Sequence, residues 1–240
     1  MIPIKDTVQR RTFPFVTTAI IVVDTLVFFL ELSLHESSRE TFVYLFGLVP
    51  ARYAQPAWAL AQGFPPDSYG SFLTSLFLHG SWLHLAGNLW FLYIFGDNVE
   101  DRVGHVRFFL FYLIAGLSAN LVHFAVNSDS TFPVIGASGA IAGVMAAYLR
   151  LFPRARIVTL IPIFFIPYFI EVPAAVFMGF WFFLQIYSGA ASLVVASSAG
   201  GIAWWAHVGG FVAGLLLVKV MCIGRPGECR LEKGHHYTYD

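Results

Sequence analysis

The chain has 240 residues, of which 58% are hydrophobic and only 12% carry a formal charge. Soluble domains have about 25% charged residues, so this composition excludes an ordinary soluble protein and indicates a membrane protein. The formal net charge of zero gives no basic field to attract nucleic acid, and the two cysteines, Cys222 and Cys229, are too few for a disulfide framework.

Six segments are candidates for membrane-spanning helices, since about 20 apolar residues cross a bilayer as a helix. In chain order they are residues 14–32, 76–96, 106–126, 135–151, 172–189 and 202–222, of which the fourth is short. The first is expected to be a retained span, because no small-residue cleavage site follows its apolar run. Residues 157–170 are also apolar, but their two prolines would break a helix, and we expect an interfacial or re-entrant connector there.

The distribution of basic residues predicts the orientation of these spans. If the N-terminus is cytoplasmic, all but two of the 14 lysine and arginine residues lie on the cytoplasmic side, and only Arg39 and Arg52 fall in the long outer first loop. The sequence therefore predicts an all-α bundle of six transmembrane helices with both termini in the cytoplasm. In this prediction residues 1–13 form a cytoplasmic segment, residues 14–222 form the membrane domain and residues 223–240 form a cytoplasmic tail.

Polar side chains inside the predicted spans point to function, because they are costly in lipid. The candidates are Asp24, His79, His84, Asn88, His123 and His207. His207 and Ser138 each lie twelve residues before a basic residue at the predicted cytoplasmic end of their span, which is about 18 Å of helix. His84 lies thirteen residues before Asp97, about 20 Å, so three different spans place a serine and two histidines in one layer.

This arrangement predicts nucleophilic catalysis by Ser138, with His207 as the base that takes its proton. Pro133 and Gly136 precede the serine, so it is expected at a helix start, where free backbone N–H groups could stabilise an oxyanion. His207 shares a helix face with Gly210 and Gly214, which favours close approach to another helix.

Other side chains could complete this site. His84 and Asn88 share one helix face and are predicted oxyanion donors, whereas His79, five residues before His84, is expected to point elsewhere. No acidic residue is obviously placed to orient the catalytic histidine, so a serine–histidine dyad is predicted. Asp24 lies at about the same depth and could complete a triad, although hydrogen bonding in helix packing is the favoured interpretation for it. Considered alone, Ser138 would be interpreted as a helix-packing serine. Catalysis is favoured only because His207 lies at the same depth and the His84 and Asn88 pattern accompanies it.

Four separated motifs resemble those of the rhomboid family of intramembrane serine proteases. "FLHGSWLHLAGN" (77–88) is similar to the family's pattern of two histidines and an asparagine, and "GDNVEDRVG" (96–104) to its G-x-x-x-E-x-x-x-G turn. "GASGAIAG" (136–143) resembles the G-x-S-G nucleophile motif, and "AHVGGFVAG" (206–214) resembles the motif that bears the catalytic histidine. The four motifs follow one another in the family's order.

The resemblance implies a serine endopeptidase that hydrolyses peptide bonds in or near transmembrane segments of other proteins, within the lipid bilayer. In this reading Ser138 is the nucleophile, His207 is the base, and His84 and Asn88 stabilise the oxyanion. Glu100 would stabilise the cytoplasmic turn. No cofactor, metal or nucleic acid is expected, and the expected location is the bacterial inner (plasma) membrane.

The chain departs from some members of the family in two places. Gly70 and Ser71 stand where these carry Trp-Arg in the first loop, and Ala142 stands where they place an aromatic ring under the histidine. The alternative function is a catalytically inactive rhomboid-like binder of transmembrane segments, although such relatives usually lack the serine or the histidine. A metal transporter or metalloprotease is disfavoured because no H-E-x-x-H motif occurs. An aspartyl protease would need a second aspartate within the spans.

Overall fold

The structure is a computed structural model, and it describes residues 2–65, 68–163, 166–194 and 202–224, together with Cys229. Within these residues the helices are α1 (Phe15–Ser33), α2 (Glu36–Phe46), α3 (Ala51–Ala54), α4 (Pro56–Ala61), α5 (Ser71–Thr74), α6 (Trp82–Val103), α7 (His105–Val126), α8 (Ser138–Leu151), α9 (Ala174–Val194) and α10 (Trp204–Met221). The strands are β1 (Ile2–Asp6), β2 (Arg156–Ile163) and β3 (Ile166–Pro173).

Each predicted span corresponds to one helix: α1, α6, α7, α8, α9 and α10. Four of these, α1, α7, α9 and α10, are long and apolar enough to cross a membrane, and α8 is apolar but has only 14 residues. The predicted bounds of the second span are wrong, since α6 begins at Trp82, after Ser81 caps its first turn by accepting from the His84 N–H, and continues to Val103. The charged last turns of α6 follow the apolar part that the prediction covered.

Glycines hold α8 and α10 together with their backbones in contact. A Cβ atom at Gly210 would overlap the carbonyl oxygen of Gly139, and one at Gly214 would overlap that of Gly143. The other side of α8 packs on α7, where a Cβ at Gly143 would lie 2.7 Å from the Cβ of Ala115. The small residues predicted to favour close packing do so, and they bring the first turns of α8 and α10 side by side.

The surface of the long helices is apolar, as a bilayer requires. Leu26 of α1, Phe109 of α7, Phe183 of α9 and Leu216 of α10 are all exposed although they are large and hydrophobic. The interior is formed by other apolar side chains around α8, including the fully buried Met145. Apolar residues on both the inside and the outside of a helix bundle are typical of membrane proteins.

The predicted role of Glu100 at the turn after α6 is visible in its hydrogen bonds. Its fully buried carboxylate accepts from the backbone N–H groups of Val16 and Thr17, at 2.8 and 2.7 Å, and contacts His105 Nδ1 at 2.6 Å. The two N–H groups belong to the first turn of α1, which has no acceptors of its own for them. Glu100 therefore joins the starts of α1 and α7 to the end of α6.

The all-α prediction is wrong for residues 2–6, 156–163 and 166–173, which form one antiparallel sheet in the order β1-β2-β3. The β2–β3 pairs run from Arg156 with Pro173 to Ile163 with Ile166. Pro162 and Pro167 exclude a helix there. Most of the other residues of β2 and β3 are β-branched or aromatic, and such residues favour strands. The expected connector is thus a hairpin, and β1 pairs along its first strand.

Three hydrogen bonds fix β1 against the helix bundle. Trp90 Nε1 donates to the carbonyl oxygen of Pro3 at 2.6 Å. The Asp6 carboxylate accepts from Asn98 Nδ2 at 2.9 Å and from the Tyr148 hydroxyl at 2.5 Å. Part of the segment predicted to be a cytoplasmic extension is therefore an integral part of the fold.

The first loop is held by Arg52, which sequence analysis assigned only to the outer side. Its guanidinium donates to the carbonyl oxygens of Leu45 and Pro65, each at 3.3 Å, and lies 5.1 Å from the ring centre of Phe64.

At the other end of the chain a disulfide joins Cys222 and Cys229, a pairing that the sequence analysis did not predict. The rest of the predicted tail after Gly224 lies outside the described residues.

Candidate active site

Ser138 is the first residue of α8, as the preceding proline and glycine predicted. The chain reaches it through Gly136, whose φ of +118° is a conformation that favours glycine. The Gly136 N–H donates to the carbonyl oxygen of Ser75 at 2.8 Å, which fixes the turn. Because the N–H of a first helical residue has no acceptor within the helix, the Ser138 N–H is available to a ligand.

His207 lies one turn into α10 and meets the serine directly. Its Nε2 is 2.7 Å from Ser138 Oγ, and the histidine is buried while the serine is half-buried. The contact between α8 and α10 at Gly139 and Gly210 explains this proximity, since each glycine lies within one turn of its catalytic candidate. The structure thus brings together the two residues that sequence analysis placed at a common depth.

Gln185 of α9 is a third member of this group, and sequence analysis missed it. Its Oε1 lies 2.7 Å from His207 Nδ1, and its Nε2 donates to the carbonyl oxygen of Trp181 at 3.1 Å. The second bond fixes the amide with its oxygen toward the histidine. Since an amide oxygen can only accept, Nδ1 carries the proton and the Nε2 lone pair faces the Ser138 hydroxyl.

The Asp24 alternative for this position is wrong, because Gln185 occupies the Nδ1 side of His207. Asp24 is fully buried, and neither of its carboxylate oxygens has a hydrogen-bond partner among the described residues. The favoured interpretation of Asp24, hydrogen bonding in helix packing, is therefore not observed there either. The available signal for Gln185 was a buried amide within an otherwise apolar predicted span, which is costly in lipid unless it is hydrogen-bonded.

An aromatic ring also lies beside His207, although Ala142 leaves none on α8. The Trp181 ring of α9 has its centre 5.8 Å from that of His207, with 36° between the planes. Trp204 approaches the same histidine edge-on at 6.2 Å. An aromatic ring beside the histidine is therefore supplied by α9 and not by α8. Helix α9 orients His207 through Gln185 and packs against it through Trp181.

His84 and Asn88 lie against the turn that leads to Ser138. A Cβ at Gly136 would be 2.5 Å from His84 Nε2 and 3.4 Å from Asn88 Nδ2. Both side chains therefore reach the backbone two residues before the serine. Each offers N–H donors, which is the chemistry that an oxyanion site needs.

His79 does not point elsewhere, contrary to the prediction. Its Nε2 is 3.0 Å from Asn88 Nδ2, and its ring centre is 5.1 Å from that of His84. The prediction assumed helical spacing between the two histidines, but α6 begins only at Trp82, so that spacing does not apply. His79 instead holds Asn88 in place, and the second N–H of this amide stays available.

The supporting layer behind the serine turn includes Asn120 of α7. Its Nδ2 donates to the carbonyl oxygen of Phe72 at 2.8 Å and to Ser75 Oγ at 2.9 Å. Since the Ser75 carbonyl in turn accepts from the Gly136 N–H, Asn120 fixes the segment on which the serine turn rests. Sequence analysis did not assign it a role in the site.

The fold and this site define a multi-pass membrane protein whose helix bundle holds a hydrogen-bonded serine and histidine. Residues 66–224 match the family model described as the Rhomboid domain. This match covers more than half of the chain, and the chain belongs to the rhomboid family.

Curated relatives come from bacteria and from organelles. The chain is 44% identical over 87 residues to "Rhomboid-like protein 11, chloroplastic" of Arabidopsis thaliana, which is 36% of this chain and 30% of that protein. It is 29% identical over 154 residues to the human "Presenilin-associated rhomboid-like protein, mitochondrial", covering 61% and 36% of the two chains. It is 34% identical over 155 residues to "Rhomboid protease GluP" of Bacillus subtilis, covering 61% and 28%.

The matched region thus spans at most 36% of the length of these relatives. Their names place them in chloroplasts, in mitochondria and in a bacterium, so the similarity selects no particular membrane.

Proposed function

We propose that this protein is an intramembrane serine endopeptidase that hydrolyses peptide bonds in or near transmembrane segments of other membrane proteins. The observation that carries the proposal is the 2.7 Å hydrogen bond between Ser138 Oγ and His207 Nε2 at the start of α8. A serine hydroxyl becomes a nucleophile when a neighbouring base can take its proton, and the Nδ1–H tautomer of His207 leaves Nε2 free to do so.

In the acylation step, Ser138 Oγ attacks the carbonyl carbon of the substrate while its proton moves to His207 Nε2. The carbonyl electrons move to oxygen, and the Ser138 N–H, His84 and Asn88 donate hydrogen bonds to that oxyanion. When the tetrahedral intermediate collapses, the C–N bond breaks and the leaving amine takes the proton from Nε2. An ester on Ser138 remains.

In the deacylation step, water attacks the ester carbonyl and gives a proton to His207 Nε2. The same donors stabilise the second oxyanion, and the proton passes to Ser138 Oγ as the carboxylic acid product leaves. The buried acceptor Gln185 holds Nδ1–H throughout, so it stabilises the imidazolium that forms in both steps.

The six-span topology with cytoplasmic termini is part of this proposal, as is the bacterial plasma membrane as location. With that orientation the starts of α8 and α10 lie nearer the outer surface, so cleavage would occur in the outer half of the bilayer. A continuous helix hides its carbonyl carbons in its own hydrogen bonds, so a substrate segment must unwind before Ser138 can attack it. The residue divisions at 13 and 222 remain predictions.

The test is cleavage of a tagged single-span substrate by the purified full chain in lipid vesicles. The wild-type protein should cut it, and Ser138→Ala and His207→Ala should each abolish cutting while inserting normally. Ser118→Ala is the matched control, since Ser118 is a half-buried serine of α7 whose hydroxyl donates to the Ile114 carbonyl oxygen of its own helix. Wild-type turnover by Ser138→Ala or His207→Ala would contradict the proposal. Binding without cutting by the wild-type protein would instead support the inactive binder.

A further inference from the structure

One carboxyl group joins strand β1 to the two helices that carry the candidate site. Asp6 Oδ2 accepts from Asn98 Nδ2 of α6 at 2.9 Å and from the Tyr148 hydroxyl of α8 at 2.5 Å. On α6, Asn98 lies ten residues after Asn88. On α8, Tyr148 lies ten residues after Ser138. Ten residues are about 15 Å of helix, so Asp6 bonds both helices at the same distance from the site.

Helices α6 and α8 also contact each other directly at this level. The ring centre of Phe95 lies 5.1 Å from that of Tyr148, and both side chains are fully buried. Farther along the same two helices, His84 and Asn88 lie against Gly136, in the turn that leads into α8. Close-packed interiors transmit displacements, so a shift of one helix along the other would move the oxyanion donors relative to the serine. A displacement of about 1 Å can lower a rate about 10²-fold.

A second carboxyl group shares the amide that holds Asp6. Asn98 Nδ2 donates to Asp97 Oδ1 at 3.0 Å as well as to Asp6 Oδ2 at 2.9 Å. Since both bonds start from one nitrogen, the two carboxyl oxygens cannot be more than about 6 Å apart. Two like charges at such a distance oppose each other's ionisation, so one of the two carboxyl groups is favoured to keep a proton.

The surroundings assign this proton to Asp6. Asp97 Oδ1 also accepts from the Asn98 backbone N–H at 2.7 Å, and Arg10 attracts the charge of this carboxylate. Among the described residues, no lysine or arginine lies near enough to offset the charge of Asp6. Burial, with a smaller contribution from Asp97, raises the pKa of the Asp6 carboxyl from 3.8 to about 7, although the hydrogen bond from Tyr148 lowers it.

The other charged groups around β1 have partners of their own or lie in solvent. The Asp101 carboxylate accepts from two backbone N–H groups of the segment that follows β1, at 3.1 and 2.9 Å. In β2, the Arg156 guanidinium lies 3.9 Å from the Glu171 carboxylate. Lys5, the other ionisable residue of β1, is exposed. Asp6 is therefore the residue of β1 whose charge depends on whether the strand is docked.

We propose that Asp6 is a positioning residue whose protonated form, by bonding α6 and α8 to β1, is the form that supports turnover. As the pH on the side of β1 rises, ionisation of the carboxyl favours release of the strand, and the oxyanion donors are then no longer held in place against the serine turn. This regulation rests on the peptidase activity proposed above. It adds to that activity a dependence on the pH at the end of the bundle opposite to the site.

The direction of the effect follows from the two states of the strand. The Asp6 carboxyl has its ordinary pKa of 3.8 when β1 is released, and keeps its proton up to about pH 7 when β1 is docked. Docking is therefore favoured in full below about pH 4. Its equilibrium constant falls about tenfold for each pH unit from there to about pH 7, and stays at its lowest value above that pH.

Cleavage of the tagged single-span substrate at several pH values tests the proposal. The wild-type chain, Asp6→Asn and Asp6→Leu are compared in vesicles with the same pH inside and outside, between about pH 5 and about pH 8. Asparagine keeps an acceptor oxygen without a charge, whereas leucine is uncharged and accepts no hydrogen bond. Asp129→Asn, at an exposed carboxyl in the loop after α7, is the matched control. Dividing each kcat by that of Asp6→Asn removes the titration of His207, which all the variants share.

We expect the kcat of the wild-type chain to equal that of Asp6→Asn at about pH 5 and to fall several-fold below it by about pH 8, with the same KM. Asp6→Leu should have a lower kcat at every pH, and Asp129→Asn should follow the wild-type chain. A ratio of wild type to Asp6→Asn that stays constant with pH, or full turnover by Asp6→Leu, would overturn the role of Asp6 and leave the peptidase intact. The first comparison is decisive even if Asp6→Leu does not fold. No cleavage by any variant at any pH would instead overturn the proposed function, and the regulation with it.

Discussion

Replacing Gln185 tests whether the amide orients His207 or merely fills space. Gln185→Met keeps the length of the side chain but removes the oxygen that lies 2.7 Å from His207 Nδ1. In the transition state the histidine carries a positive charge, and a hydrogen bond to a charged group contributes about 1.5–3 kcal/mol. Loss of that bond corresponds to a decrease of about 10- to 150-fold in kcat. KM should change little, because the bond strengthens only as the charge develops.

The assay is steady-state cleavage of the single-span substrate by matched amounts of inserted protein. Gln185→Glu is the informative second variant, because its carboxylate can still accept from Nδ1–H, and it should recover much of the lost kcat. Leu184→Met, on the exposed face of the same helix, controls for a methionine in α9 and should behave like wild type. Unchanged kcat in Gln185→Met, a loss confined to KM, or equal loss in Gln185→Glu would refute an orienting role.

Three further predictions concern the oxyanion site, the helix contact and the sheet. His84→Ala should lower kcat by about 10²–10³-fold, and Asn88→Ala should lower it less. Full turnover by both variants in the cleavage assay would show that neither side chain stabilises the oxyanion. Gly210→Ala should abolish cleavage and lower thermal stability, because its Cβ would overlap backbone atoms of α8, whereas Gly179→Ala, which has open space, should have no effect on either measurement. Burial raises the pKa of the Asp6 carboxyl from 3.8 to about 7. Between these pH values the carboxyl is protonated when β1 is docked on the bundle and ionised when β1 is released. Docking of β1 should therefore weaken as the pH rises from about 4 to about 7, measured as falling amide-exchange protection factors, and Asp6→Asn should remove this dependence.

The helices of the six apolar segments could be predicted because hydropathy reports them directly, whereas the short helices α2–α5 and the sheet were not predicted. Strand β1 pairs with residues that lie more than 150 positions later in the chain, and no local pattern records such a pairing. Residues 157–170 are apolar at nearly every position, so they lack the alternation that marks a half-buried strand. Their prolines excluded a helix, but they gave no reason to expect β1 beside them.

The contact between Ser138 and His207 could be predicted from their common depth in the membrane and from the small residues beside them. Both of these features can be recognised in each helix separately. The contact of Gln185 with His207 depends on how α9 is rotated against α10, and a helix that is apolar on all sides gives no rotational signal. His79 was misplaced for a related reason, since helical spacing was applied to a residue that precedes the start of α6.

The central claim is that Ser138 is a nucleophile activated by His207. Its most direct measurement is labelling of the inserted protein with a fluorophosphonate probe, followed by mass spectrometry of the modified peptide. The account predicts one adduct, on Ser138, which forms in the wild-type protein and is lost in His207→Ala. An adduct on another serine, no adduct in the wild-type protein, or undiminished labelling in His207→Ala would contradict it.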